Sequence, residues 1–408
     1  MACSENELGS IVKTADLVSA AKKIYKFIEE AFNRDIECKD ISEIYQSCDD
    51  LMMYDNCDWT IQKLTDKIKS YLSSVVLIKI KRSFGDGFLI ILKNQWDEFK
   101  DCMSSINTVF LHYNNILIKS NKDKVIDLGL KMFRDLIVCN SEVRGKLQTT
   151  LLKLITDNRV AYRIEYSSLE PISTACEMLN ELSYETEINV YESVFEQAFL
   201  DQSSCYYKKL SGNKITASSA TEYISFVEHQ ITAELARNEL FTTKGSVGKN
   251  QKILEKELIE KHLKEIVSNK YGAEYLLSED MTDQLARMYS TLSRVEKGVQ
   301  LLIECVKTYI NREGIIIMKE DNKKKAHLGI QSLIKLKDRL DGFLCNSFKS
   351  DINFNRTINV QYEKSLTCIQ SQLHFYHCLL ILNCEKFTRK VQTLICPRRS
   401  TKHLTFTI

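Results

Sequence analysis

Two prolines in 408 residues, Pro171 and Pro397, leave almost every stretch free to run as helix, since proline removes an amide donor and clashes with the preceding turn. No segment approaches the run of about 18 uninterrupted apolar residues that a membrane-spanning helix needs, and the opening MACSENELGS lacks the apolar centre of a secretory signal. Neither sign of charge is in excess. A net charge of +2 gives no electrostatic case for nucleic acid as the main partner. The fourteen cysteines are scattered singly, without the dense spacing of a secreted disulfide scaffold. A reduced protein of the cytoplasm or nucleus is expected, with neither membrane nor nucleic acid as partner.

What is present is apolar period. Apolar residues make up 44% of the chain and charged ones 27%, enough to bury a core and stay in solution, over a length too great for one compact core. Leu17, Ala21, Ile24, Ile28 and Ala31 mark a first helix over 16–32. Asp40 with Glu43 three residues on has the form of a capping box. It opens a second helix with Ile41, Ile44, Tyr45, Cys48 and Met52 on one face. A third helix is expected from Asp58 to about Lys81, ended by the Gly85-Asp86-Gly87 turn, and a long fourth from Phe88 to about Lys119. Further amphipathic runs follow TTLLKLI, Pro171, YESVFEQ and TEYISF. Phe241 to Asn250 has the composition of a polar loop, and QKILEKELIEKHLKEIV that of one continuous helix.

The order of residues is more specific than the period. Glu257, Leu258, Ile259, Lys261 and His262, then Asp283, Leu285, Met288, Tyr289, Ser293, Arg294, Val295 and Gly298, resemble the signature of the cullin family. Leu128, Gly129, Leu130, Phe133, Arg134 and Asp135 resemble its L-G-L-x-x-F-R-D segment. Tyr191, Glu192, Phe195, Glu196, Phe199 and Leu200 resemble its Y-E-x-x-F-E-x-x-F-L. The resemblance implies an all-α fold, an elongated array of three five-helix cullin-type repeats over 16–146, 147–250 and 251–366. The remainder, 367–408, is a basic tail with no counterpart that aligns. A longer family member would continue into a globular half that binds a RING subunit. The expectation here is a truncated form that does not bind the RING subunit and competes with the full-length protein.

Catalysis finds little support. GSVGKN, from Gly245 to Asn250, is two residues short of a phosphate loop and has Asn250 where Ser or Thr would reach magnesium. Cys368, His374, His377, Cys378, Cys384 and Cys396 are dense, yet no Cys-x-x-Cys pair occurs among them. No catalytic residue, metal ligand or cofactor is assigned. Within the family, the sequence is most similar to the class that recruits BTB-domain adaptors, through Asp40 to Tyr45 against that class's S-F-E-E-L-Y. That resemblance implies a partner-binding surface of Ile41, Ile44, Tyr45, Cys48, Asp49 and Leu117. Asp49 and Leu117 stand where that class has tyrosines. Ile44 and Cys48 suit packing inside the first bundle equally well. The expected function is a non-catalytic scaffold of a ubiquitin ligase that holds BTB adaptors. A general helical solenoid of the vesicle-tethering or transport type would explain the helices, but not the residue order near Asp283.

Overall fold

The computed structural model describes residues 5–34, 41–54, 58–85, 87–161, 164, 166–186, 188–321 and 327–372. Among them every regular element is helical, as the scarcity of proline and the apolar period imply. The Asp40 cap, Asp86 and the run from His374 to Cys396 lie outside the described residues, as does the side chain of Cys368.

The chain forms two compact units, Met1–Tyr206 with Ile231–Ile253, and Tyr207–Gln230 with Leu254–Ile408. The first contains α1 (Glu5–Asn33), α2 (Ile41–Tyr54), α3 (Asp58–Tyr71), α4 (Leu77–Arg82) and α5 (Phe88–Val109). It continues with α6 (Leu111–Lys119), α7 (Val125–Phe133), α8 (Ser141–Val160) and α9 (Tyr166–Thr186). Three helices, α10 (Gln197–Ala217), α11 (Ala220–Phe241) and α12 (Lys244–Leu258), give residues to both units. The second unit adds α13 (Leu263–Val267), α14 (Ala273–Ser278), α15 (Thr282–Leu292), α16 (Glu296–Asp321), α17 (His327–Asn346) and α18 (Ile352–Gln372).

Three π-helical turns interrupt the first unit's helices, and the spacing of buried residues explains one of them. Leu64, Ile68, Leu72, Val76 and Ile80 are all buried and recur at every fourth position. Each step of four overshoots a 3.6-residue turn by about 40°. The π turn Leu72–Val76 between α3 and α4 holds one more residue per hydrogen-bonded loop and takes up that drift. A second, Arg134–Val138, follows α7 and packs against the first, while a third, Glu192–Glu196, precedes α10. At the centre of the unit the rings of Trp96 and Phe99 lie 5.1 and 5.3 Å from that of Phe133.

The expected helix from Phe88 to Lys119 is two helices. Phe110, at φ −90° and ψ 19°, leaves the helical path between α5 and α6. Just before it Ser105 and Thr108 donate their hydroxyls to the carbonyls of Asp101 and Ser104, at 3.1 and 3.0 Å. Such back-bonding bends helices. The break is invisible to apolar period because Phe110 itself is buried.

The expected loop over Phe241–Asn250 is also corrected, since α12 starts at Lys244. Thr243 caps it, its hydroxyl accepting from the Ser246 amide at 3.3 Å. Ser246 and Asn250 are polar, yet both are fully buried, because this part of the interior is itself polar. Ser246 donates to Glu196, whose other oxygen accepts from Lys249. Glu234 accepts from Asn250 at 3.3 Å, from the Nε of Arg159 at 3.1 Å and from Arg237 at 3.4 Å. Arg159 also reaches Ser203 at 2.7 Å, and Arg237 reaches Asn158 at 2.9 Å. A reading that sends only apolar residues inward cannot see such a cluster.

In the second unit, QKILEKELIEKHLKEIV breaks after Leu258 into a short 3-10 turn, Glu260–His262, before α13. The Tyr223 hydroxyl donates to the Leu258 carbonyl at 2.8 Å, satisfying a group that the break sets free. Several signature residues have a structural reason here. The Tyr289 ring stands edge-on to the stacked pair Phe348 and Phe354, and its hydroxyl donates to Asp351 at 3.0 Å. Gly298 is buried at the start of α16, where a β-carbon would come within 2.3 Å of the Leu292 carbonyl oxygen. Any larger residue must push backbone aside.

Candidate functional site

The sequence directs attention to α2 and the end of α6, both in the first unit. Helix α2 lies along α1, and the ion pair Lys23–Glu43 ties the two. Ser47 turns its hydroxyl back to the Glu43 carbonyl at 2.9 Å, and Cys48 and Leu51 fill the core beneath. Beside that buried face, at its edge, run Ile41, Tyr45 and Asp49 at intervals of four, one stripe along the helix. Ile41 is 50% exposed, Tyr45 and Ile44 are half-buried, and Ile44 packs against the core from its edge.

Helix α6 is fixed by Asn114, which is buried. Its amide donates to Asn107 Oδ1 at 2.9 Å, and its carbonyl accepts from the Val125 amide, the first of α7, at 2.9 Å. Asn121, at φ 56°, ends the helix in the left-handed conformation, and the Lys122 amide donates to the Leu117 carbonyl at 2.8 Å. This closure points Tyr113 and Leu117 inward and leaves His112 facing α2.

The structure therefore divides the expected binding residues into two sets. Ile41, Tyr45 and Asp49 offer surface. Cys48 and Leu117, each 2% exposed, are core residues that support the surface from beneath and present none of their own. Burial, followed by the neighbouring charge of Asp49, pushes the Cys48 thiol up to about 12, so it is an inert packing group at neutral pH.

The residue that sequence reasoning missed is His112. It donates Nδ1–H to Asp49 Oδ1 at 3.0 Å, and its ring lies 5.3 Å from that of Tyr45, tilted by 53°. One imidazole thus joins the second and third members of the α2 stripe to α6. A charged Asp49 within an otherwise apolar stripe signals that a polar partner faces it. Nothing local identifies that partner, which lies 63 residues away and beyond the break at Phe110.

Among the described residues, no three His, Cys, Asp or Glu side chains converge to hold a metal ion, and no helix is long and apolar enough to cross a membrane.

Comparison with known proteins gives a family match and a set of relatives. A family model, the Cullin alpha solenoid domain, matches residues 17–386. It runs past Leu366, where the residue-by-residue resemblance ends. Cullin-3 of Dictyostelium discoideum is 28% identical over 79% of this chain and 42% of its own length. Cullin-3A of Arabidopsis thaliana is 24% identical over 84% of this chain and 47% of its own. Cullin-3 of Caenorhabditis elegans is 23% identical over 79% of this chain and 43% of its own. The chain thus spans somewhat under half the length of these relatives.

Proposed function

The chain belongs to the cullin family, and on that premise we propose that it serves as a non-catalytic scaffold of a ubiquitin ligase, holding BTB-domain adaptors on the surface of α2 and α6. What supports this function most directly is the Ile41–Tyr45–Asp49 stripe, with Ile41 exposed, Tyr45 and Asp49 half-buried, and His112 joining it to a second helix. Interfaces concentrate their energy in a few large side chains set in a surround that excludes water. Tyr45 with Ile41 forms such an anchor. The buried Cys48, Leu51 and Leu117 hold it from behind, so little side-chain freedom is lost on binding. The likeness to relatives named Cullin-3, together with the Asp40–Tyr45 segment, favours the BTB class of adaptor over others. An adaptor bound to these 408 residues is withheld from a full-length relative, which makes the chain a competitor when it is in excess. The division into repeats over 16–146, 147–250 and 251–366 belongs to the same proposal.

The test is calorimetric titration of the 408-residue chain with a panel of BTB domains, beside F-box and other unrelated adaptors. Saturable one-to-one binding to at least one BTB domain, and to none of the others, is expected. Binding to none of the panel removes the adaptor function.

A further inference from the structure

The Proposed function names a surface, and His112 adds a rule of choice to it. Its Nδ1 lies 3.0 Å from a carboxylate oxygen of Asp49, which accepts but cannot donate, so the ring proton sits on Nδ1. A neutral imidazole has one N–H, and Nε2 then carries a lone pair. The ring cannot turn over to exchange its nitrogens for carbons without losing the hydrogen bond to Asp49. Among the described residues Nε2 has no hydrogen-bond partner, and the side chain is 51% exposed. A fixed acceptor therefore stands beside the aromatic anchor, on the face that an adaptor would cover.

We propose that His112 is a specificity-determining residue: held by Asp49, it presents Nε2 as a hydrogen-bond acceptor, and the chain selects adaptors that place an N–H or O–H donor beside the pocket filled by Tyr45. This inference rests on the adaptor function. An adaptor with an apolar group or a carboxylate at that point buries the lone pair without a donor. Leaving one buried polar group unmatched lowers affinity by about tenfold. Sites built around a hydrogen bond reject ligands lacking it more strongly than apolar pockets reject a missing methylene. Asp49 acts through His112, as a positioning residue.

Two measurements on the full chain test this at pH 8. The first is the ring-nitrogen spectrum of the 15N-histidine-labelled protein, in which the His112 signals are those absent from His112→Phe. A protonated Nδ1 and a bare Nε2 are expected, and a proton on Nε2 overturns the proposal. The second is titration with the BTB domain that the parent binds most tightly. His112→Phe keeps a ring against Tyr45 but has no nitrogen, and is expected to weaken binding about tenfold. His112→Gln reaches the Nε2 position with a carbonyl oxygen, and is expected to bind within about threefold of the parent. Melting curves of both should match the parent's. If His112→Phe binds as the parent does, or if the Gln and Phe variants lose affinity equally, Nε2 is not read and the inference falls while the adaptor function stands. If no BTB domain binds the parent, both fall together.

Discussion

Tyr45 leans its ring on His112 and keeps part of it in solvent, so its removal takes away surface without emptying the core. Tyr45→Ala is expected to weaken BTB binding by about 2 kcal/mol or more, roughly thirtyfold. Ile41→Asp should do comparable damage by placing a charge in an apolar contact, while Lys252→Ala, on α12, should change nothing. Calorimetry beside thermal melts separates the outcomes. Variants that fold normally and still bind every cognate BTB domain would displace the site from α2. A different residue sets a pH dependence. Burial holds the His262 pKa below its ordinary value, more than the nearby Glu265 raises it, with Lys261 adding to the depression; the ring meets the Ser211 hydroxyl at 3.0 Å. The unfolded chain then binds the proton more readily, so this stabilisation is complete above about pH 6.5 and is lost as pH falls through the lower folded value. Urea midpoints from pH 7.5 to 5 should fall, and His262→Gln should flatten that slope; an unchanged slope would remove His262 from the acid response. Apolar period grouped Ile41 and Tyr45 with Ile44 and Cys48, and Asp49 entered only through the resemblance to the BTB-recruiting class. His112 was not legible, because its meaning depends on a partner that only folding supplies.

At the scale of elements, helices read from apolar period alone came out right in type and wrong where polar groups decide. The α5–α6 break comes just after two hydroxyls that bond back to carbonyls, and in α12 Ser246 and Asn250 meet buried carboxylates. Both are side-chain events that leave the hydrophobic count unchanged. The cluster that draws α8, α11 and α12 together centres on Glu234, fully buried between Arg159 and Arg237. Removing one member of a buried ion pair strands the other charge, at a cost of about 3–5 kcal/mol. Glu234→Ala is therefore expected to lower stability by about that much in urea unfolding, with Glu234→Gln in between. A loss below about 1 kcal/mol, the scale of an ordinary surface change, would mean that water or relaxation supplies the missing partner.

For the whole molecule, the all-helical class was legible from what is missing, since two prolines and no alternating strand pattern leave helix as the economical answer. The family was legible for another reason. Residues such as Gly298 and Tyr289 occupy places where backbone approach or an aromatic cluster admits few substitutes. The competitor role is tested in a reconstituted ligase built on a full-length cullin-3 and a shared BTB adaptor. Added in excess, the 408-residue chain should suppress substrate ubiquitination, and its Tyr45→Ala variant should not. Equal suppression by both would assign the inhibition to something other than adaptor capture.

The π turn at Leu72–Val76 makes the chain tolerant of a change in length at one place. An α-helix that loses a residue rotates everything after it by about 100° and carries its buried side out to solvent. Ser73, Ser74 and Val75 instead lie exposed within a turn that already holds one residue too many for an α-helix. Deleting Ser74 should let the turn close as ordinary α-helix, with Val76 and Ile80 still facing inward. Deleting Asn94, equally exposed but in the middle of α5, should turn Trp96 and Phe99 out of the core. Thermal melts of the two deletions should therefore differ sharply, the first staying close to the parent; similar losses in both would show that the extra residue is not dispensable. Among homologues, the segment 72–76 is then the place in this helix to look for single-residue gaps, where evolution can edit the chain without re-laying the core.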